Sequence, residues 1–252
     1  MRNIAQGEAD TSPLVVCIGD SITQGRVSSN YVALLRQRMN KDSVHFINAG
    51  VGSDLAYNVL RRLKKVIAYK PDFVTIQAGS NDILYTLYSK GGEIYYRLTK
   101  KIHHRPSPEW YHDNMLAIVR LLKEKTSAKI ALVSIPVLGE DLDSTPNERV
   151  RAYNSLLKEI ATQEQVKYLP VYERQEDYLR TSQVGAGYPF KPNYSPLLML
   201  LMRKYLLRQS FDKISQLNGF VLTIEGLHMN SRGAAIIADE IESFLQKSLA
   251  TK

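Results

Sequence analysis

Four short polar segments of this 252-residue chain combine residue types that could carry out chemistry. They are residues 19–23 (GDSIT), 48–54 (NAGVGSD), 77–82 (QAGSND) and 225–230 (EGLHMN). A serine hydroxyl becomes a good nucleophile when an adjacent imidazole takes its proton. Asparagine amides and backbone N–H groups are suitable donors to the negative oxygen that forms when such a nucleophile attacks a carbonyl. The four segments together supply all of these groups.

The elements between these segments predict where the segments lie. Continuous apolar runs are typical of strands buried on both faces, and they alternate with amphipathic helical patterns. Strands are predicted at 14–18, 44–49, 73–77, 130–135 and 166–171, and helices at 30–39, 55–69, 110–125, 147–162 and 231–249. This alternation predicts βαβ units and a mostly parallel sheet with helices on both faces. The first three polar segments each follow a strand, so we expect them to meet at the carboxyl edge of the sheet, where open α/β sheets bind ligands.

The four segments, in this order, resemble the sequence blocks of the SGNH (GDSL-type) hydrolase superfamily. The resemblance extends over about residues 14–245 and rests on GDSIT, the 48–54 stretch, GSND and the ExxH at 225–228. It implies a three-layer α/β/α, flavodoxin-like fold with about five mostly parallel strands. It also implies a serine hydrolase that cleaves carboxylic esters through an acyl-enzyme, with no cofactor and no metal.

The resemblance further assigns roles to individual residues. Ser21 corresponds to the nucleophile and His228 to the general base. The oxyanion hole is implied to consist of the backbone N–H of Ser21, a backbone N–H of the second block and the side chain of Asn81. Asp20 and Asp82 flank the reactive positions, and we expect them to support their loops through hydrogen bonds to backbone amides.

Two positions depart from the family pattern. The last block usually reads Asp-x-x-His, whereas this chain has Glu225. Glu225 either completes a triad despite its extra methylene or is exposed, with a carbonyl or water beside His228 instead. In the second block Ser53 stands where the oxyanion glycine is expected. Its N–H can donate if the backbone does not require a positive φ, and otherwise Gly52 takes over, so Gly52 and Ser53 are predicted to act as a unit.

Composition places the chain among globular proteins, with 44% apolar and 23% charged residues. No repeat or composition break marks a boundary, so we predict one domain over residues 1–252. Two insertions, at about 83–109 and 173–222, interrupt the alternation. The first is rich in tyrosine (Tyr85, Tyr88, Tyr95 and Tyr96). Such insertions either form lids or substrate walls or add helices to the core.

The net charge of +8 is scattered and contains no run of five basic residues, so we expect no nucleic-acid partner. The single cysteine, Cys17, rules out an intrachain disulfide, and His103, His104 and His112 lack the spacing of a metal site. No apolar segment is long enough to span a membrane, although the charge is compatible with peripheral lipid contact. The N-terminus has no secretory signal, which predicts a cytoplasmic protein unless a leader has been removed.

The sequence leaves the substrate open between two classes. One is a short or medium acyl ester or a lysophospholipid-like lipid, and the other is a carbohydrate O-acetyl ester. A catalytically impaired binding protein with the same fold is the competing hypothesis, motivated by Glu225 and Ser53. Nucleotide binding ranks last, because GDSITQG lacks both the G-x-G-x-x-G and the GK[ST] pattern. The sequence gives no prediction of oligomeric state.

Overall fold

The computed structural model describes residues 12–39, 44–87, 90–102, 104–182, 187–190 and 195–250, with backbone alone for residues 90–93. Tyr88 and His103, singled out above, lie outside the described residues. So do residues 183–186 and 191–194 of the second insertion.

Five parallel strands form the sheet in the order β2-β1-β3-β4-β5. The strands are β1 (Leu14–Gly19), β2 (His45–Gly50), β3 (Phe73–Gln77), β4 (Lys129–Val133) and β5 (Lys167–Leu169). The strand order reverses beside β1, which places the loop after β1 at the switch point of the sheet. The predicted flavodoxin-like α/β/α fold is therefore confirmed.

Helices connect the strands and cover both faces of the sheet. In chain order they are α1 (Ser21–Gln24), α2 (Tyr31–Arg38), α3 (Ala56–Arg61), α4 (Leu63–Ile67), α5 (Ser80–Leu87), α6 (Lys90–Lys100), α7 (Pro108–Lys125), α8 (Thr145–Gln163), α9 (Val171–Thr181), α10 (Ser195–Leu201), α11 (Phe211–Leu217) and α12 (Ser231–Leu249). A π-helical turn, Met202–Leu206, continues α10. None of the described helices is long and apolar enough to cross a membrane.

Alternation along the central strands divides the core into two layers. On β1, Val16 and Ile18 face a cluster that includes side chains of α3, α4, α7 and α8. Val15 and Cys17 face the opposite cluster, built largely from α2 and α12. All four side chains are fully buried. The three aliphatic side chains among them each stabilise the fold by about 1.5–3 kcal/mol relative to exposure, so both faces hold the strand in place.

The segment predicted as one helix over 55–69 is two helices, which meet at Arg62. Arg62 has φ −103° and ψ 6°, outside the α-helical region. Its guanidinium donates to the Asp54 carboxylate at 2.7 Å and to the Gly19 carbonyl at 2.9 Å. The helix therefore breaks at the residue whose side chain ties α3 and α4 to the loops after β1 and β2.

Candidate active site

Ser21 begins α1, immediately after β1 ends at the switch point of the sheet. Asp20 caps this short helix, since its Oδ1 accepts from the Ile22 N–H at 2.9 Å. The cap fixes the turn that presents the Ser21 hydroxyl at the carboxyl edge of the strands. Gly19 is required for this turn, because a Cβ there would lie 2.5 Å from the Gln77 carbonyl oxygen.

The loop after β2 places Ser53 in the left-handed region, with φ 59°. Serine adopts this conformation reluctantly, whereas glycine adopts it freely. Ser53 therefore has the positive φ that disfavours serine, and other contacts hold the loop in this conformation. Lys100 Nζ donates to the Gly52 carbonyl and lies 2.8 Å from the Asp54 carboxylate.

Asn81, at the start of α5, connects the loops after β1 and β2. Its Nδ2 donates to Asp20 Oδ2 at 3.3 Å and to the Asp54 carbonyl at 3.2 Å. Both distances are at the long end for N–H···O hydrogen bonds. Its Oδ1 accepts from the Tyr96 hydroxyl at 2.8 Å, which fixes the orientation of the amide. The amide nitrogen is therefore held between the first two loops by a tyrosine of the first insertion.

His228 lies in a tight loop that precedes α12. The Ile224 N–H donates to the His228 carbonyl at 2.7 Å, and Thr223 and Met229 form an antiparallel bridge. Asn230 caps α12 through a 3.0 Å bond from the Gly233 N–H to its Oδ1. This closed loop directs the His228 ring back towards the end of β1.

Ser21, His228 and Glu225 form a continuous chain of contacts. His228 Nε2 lies 3.0 Å from Ser21 Oγ, and His228 Nδ1 contacts Glu225 Oε1. All three residues are at most 9% exposed. In the tautomer with the proton on Nδ1, the ring donates to Glu225 and leaves Nε2 to accept from the serine hydroxyl. Of the two positions considered for Glu225, the structure has the buried one beside the imidazole.

The extra methylene of Glu225 is accommodated by the loop itself. The carboxylate reaches the ring of the residue three positions later and also accepts from the His228 N–H at 3.3 Å. Gly226 follows with φ 93°, and its carbonyl accepts from the Gly139 N–H at 2.6 Å. Glu225 Oε2 has no hydrogen-bond partner in the described part of the chain.

The sequence reasoning missed several residues that hold the site together. Glu140 is buried, and its carboxylate accepts from the backbone N–H groups of Val221, Leu222 and Thr223 at 2.7–2.8 Å. It thereby anchors the chain just before the Glu225–His228 loop. Glu140 lies in the polar stretch GEDLDS, which looks like an exposed turn, so no local signal distinguishes it. The sequence likewise does not assign Tyr96, Arg62 or Lys100 to the site, because their partners Asn81, Gly19 and Gly52 lie 15–48 positions away.

Burial raises the pKa of two carboxyl groups beside the site. Loss of solvation raises the pKa of Asp20 to about 6, although the Ile22 N–H and His228 oppose this. Loss of solvation likewise raises the pKa of Asp82 to about 7, opposed by the Ala56 N–H. Asp82 Oδ2 accepts from that N–H at 3.1 Å, so Asp82 connects the start of α5 to the start of α3.

The raised pKa of Asp82 predicts a pH-dependent stability. Its ordinary pKa is 3.8, so between that pH and about 7 the folded protein keeps a proton that the unfolded chain has released. The free energy of unfolding therefore falls as the pH rises through this window, by up to about 4 kcal/mol from this group. In Asp82→Asn we expect this loss to vanish. The free energy of unfolding of the variant, relative to that of wild type, should therefore rise by at least about 2 kcal/mol between about pH 5 and about pH 8.

Urea unfolding of both proteins at the two pH values measures this difference. The exposed Asp177 on α9 provides a control, because Asp177→Asn removes a carboxylate that remains solvated in the folded protein. A difference between Asp82→Asn and wild type that is equal at both pH values would contradict the prediction.

The fold, together with the family comparison that follows, identifies the chain as an ester-hydrolysing enzyme of the SGNH class. The model of the GDSL-like lipase/acylhydrolase family matches residues 17–236, and the chain belongs to that family. The family implies small-molecule ester substrates. The resemblance predicted from the four segments is confirmed.

Solved structures with the same fold cover nearly the whole chain. The acetyl xylan esterase AlAXEase has 18% identity and a TM-score of 0.63, over 92% of this chain and 98% of its own. LAE5, an α/β hydrolase from the metagenome of Lake Arreo, Spain, has 16% identity and a TM-score of 0.63, over 94% and 97%. Axe2, an acetylxylan esterase from Geobacillus stearothermophilus, has 17% identity and a TM-score of 0.60, over 93% and 95%. No curated protein sequence matches this one significantly.

Proposed function

We propose that this enzyme hydrolyses carboxylic esters through an acyl-enzyme formed on Ser21, with His228 as general base and Glu225 as the acid that orients it. The observation that carries this proposal is the chain of contacts from Ser21 Oγ through His228 to the Glu225 carboxylate. His228 Nε2 takes the hydroxyl proton as Oγ attacks the ester carbonyl carbon. It then gives that proton to the departing alkoxide, and water repeats the cycle to release the acid.

Three donors are proposed to stabilise the tetrahedral oxyanion. They are the backbone N–H of Ser21, a backbone N–H of the Gly52–Ser53 pair and Nδ2 of Asn81. The Asn81 amide already bridges the two loops that carry the other donors. Because its bonds to Asp20 and Asp54 are long, an oxyanion can take over one of the amide hydrogens without moving the side chain.

Removing the Asn81 amide tests this oxyanion hole. We expect Asn81→Ala to lower kcat for p-nitrophenyl butyrate by about 10²–10³-fold with little change in KM, because the bond is made only in the transition state. Tyr96→Phe keeps the amide and removes the hydroxyl that orients it, so we expect a smaller loss, about tenfold.

Asn114→Ala is the matched control for these two variants. Asn114 is a buried asparagine on α7, and its amide donates to the Trp110 carbonyl. It should retain wild-type kcat. If Asn81→Ala changed KM alone, or lost no more activity than Asn114→Ala, the assignment of its amide to the oxyanion hole would be wrong.

For the substrate, we propose an acyl ester of a lipid. Exposed apolar side chains favour this class, since Ile94, Tyr95 and Leu98 belong to the same helix that contacts Ser53 and Asn81. Rates on p-nitrophenyl acetate, butyrate and octanoate test this choice. A preference for the longer chains is expected. A rate confined to acetate would instead support a carbohydrate O-acetyl ester, the class that the acetyl xylan esterases named above act on.

Labelling with a fluorophosphonate separates the enzyme from a binding protein that has kept the fold. The activated hydroxyl should react stoichiometrically, and mass spectrometry of the digested protein should locate the adduct on Ser21. A folded protein that remains unlabelled would support the impaired binding protein instead.

A further inference from the structure

Two helical segments at the carboxyl edge of the sheet expose large apolar side chains to solvent. Ile94, Tyr95 and Leu98 project from α6, and Leu98 is 74% exposed. A larger set projects from α10 and the π-helical turn that continues it, where Leu206 is 73% exposed. Together these two segments, which we call the apolar rim, carry eight of the twelve large apolar side chains that are most exposed in the described part of the chain.

The first half of the apolar rim is attached to the oxyanion side of the site. On α6, Tyr96 points inward, is 3% exposed and donates to Asn81. Ile94 and Leu98 are one helical turn apart and therefore share the outer face. The buried and exposed faces of this helix are both apolar, so its outer face is not explained by packing within the chain.

The second half is attached to the histidine side. Leu200 of α10 is buried with Ile224, next to Glu225, and with Val27 from the loop after α1. The Tyr205 hydroxyl donates to the Arg26 carbonyl at 2.7 Å. The outward side chains Leu198, Met202 and Leu206 recur every four residues. One half thus contacts the loops that carry Ser53 and Asn81, and the other packs beside the loop that carries Glu225 and His228.

The charge of the apolar rim and its flanking residues is strongly basic. Residues 90–105 and 195–210 together contain eight Lys and Arg and one acidic residue, Glu93, which is a net charge of +7 against +8 for the whole chain. Arg97 and Arg208 are exposed among the apolar residues. Helical faces that combine exposed leucine and aromatic residues with arginine and lysine are suited to the surface of an anionic bilayer.

We propose that the apolar rim binds the surface of membranes that contain anionic lipids and so brings acyl lipids to Ser21. The apolar side chains would enter the boundary between headgroups and acyl chains, while the basic side chains meet lipid phosphates. The inference rests on the proposed function in one respect: membrane lipid is hydrolysed only if Ser21 is catalytically active. Membrane binding itself is a separate property and is measured separately.

The test is co-sedimentation with vesicles, made with the Ser21→Ala protein so that no lipid is consumed. Vesicles of phosphatidylcholine are compared with vesicles of phosphatidylcholine and phosphatidylglycerol in equal amounts. We expect binding to the mixed vesicles, and it should weaken as salt is raised. Leu98→Ser together with Leu206→Ser should lower the partition coefficient at least about tenfold. Arg97→Gln together with Arg208→Gln should lower it about tenfold on the mixed vesicles.

Tyr69→Ser is the matched control. Tyr69 is 48% exposed and precedes β3, so it lies at the opposite edge of the sheet from Ser21. It should bind like the parent. Absence of binding to the mixed vesicles would overturn the proposal, as would equal losses in Tyr69→Ser and the leucine variant. Self-association that the leucine variant abolishes, without vesicle binding, would assign the apolar rim to a second copy of the chain and also overturn it. None of these outcomes depends on whether the wild type hydrolyses esters.

Discussion

Replacing Ser21 by alanine is expected to lower kcat for p-nitrophenyl butyrate by at least about 10³-fold. The hydroxyl lies 3.0 Å from His228 Nε2 and begins a helix at the switch point of the sheet, where the other loops of the site meet it. Without Oγ no acyl-enzyme can form on this residue. The oxyanion donors would then act only on a direct attack by water, which accounts for a small residual rate. Initial rates of purified wild type and variant give the ratio.

Ser80→Ala is the matched control for loss of a buried hydroxyl near the site. The Ser80 hydroxyl is buried and has no hydrogen-bond partner in the described part of the chain. Its removal should leave the rate within about threefold of wild type. Circular dichroism and a thermal transition for each variant establish that it is folded. If folded Ser21→Ala hydrolysed the ester at the wild-type rate, another group would be the nucleophile.

Replacing Glu225 by glutamine is expected to lower kcat by about 10³–10⁴-fold. The carboxylate accepts from His228 Nδ1, which leaves the lone pair of Nε2 facing Ser21. A glutamine amide can donate to Nδ1, which favours the tautomer with the ring proton on Nε2. Nε2 then has no lone pair with which to accept the Ser21 proton. Glu225 Oε2 has no hydrogen-bond partner in the described residues, so no second contact would stop the glutamine amide from turning its nitrogen towards Nδ1.

Glu225→Asp separates the charge from the reach of the side chain. It keeps the carboxylate but withdraws it by roughly one methylene, so we expect a loss of about 10–10²-fold, smaller than that of glutamine. Saturation kinetics should show the effect in kcat rather than KM for both variants, and the rate of fluorophosphonate labelling should fall in the same order. Equal rates for wild type and Glu225→Gln would mean that another group orients His228.

Much of the fold was predictable because its signals are local. The apolar run of β1 and the β-branched and aromatic residues of β3, a strand that is buried along its whole length, are visible in five or six consecutive residues. Parallel strands have their carboxyl ends at one edge, so the convergence of the loops after β1, β2 and β3 followed from the alternation of elements. The confirmed boundaries of α12, Ser231–Leu249, likewise follow from the Asn230 cap and an amphipathic pattern within the helix.

The sequence by itself determined the order of the strands and helices, the edge where the candidate site lies and the residue types available there. The tertiary structure alone decided how those residues are held. Three features of the site depend on contacts that form only in the folded chain. They are the positive φ of Ser53, the buried position of Glu225 beside His228, and the anchoring by Tyr96, Lys100 and Glu140. Most of these contacts join residues 15–82 positions apart. Residue type and local periodicity carry no information on such pairs, because the geometry that makes them exists only once the sheet has brought its loops together.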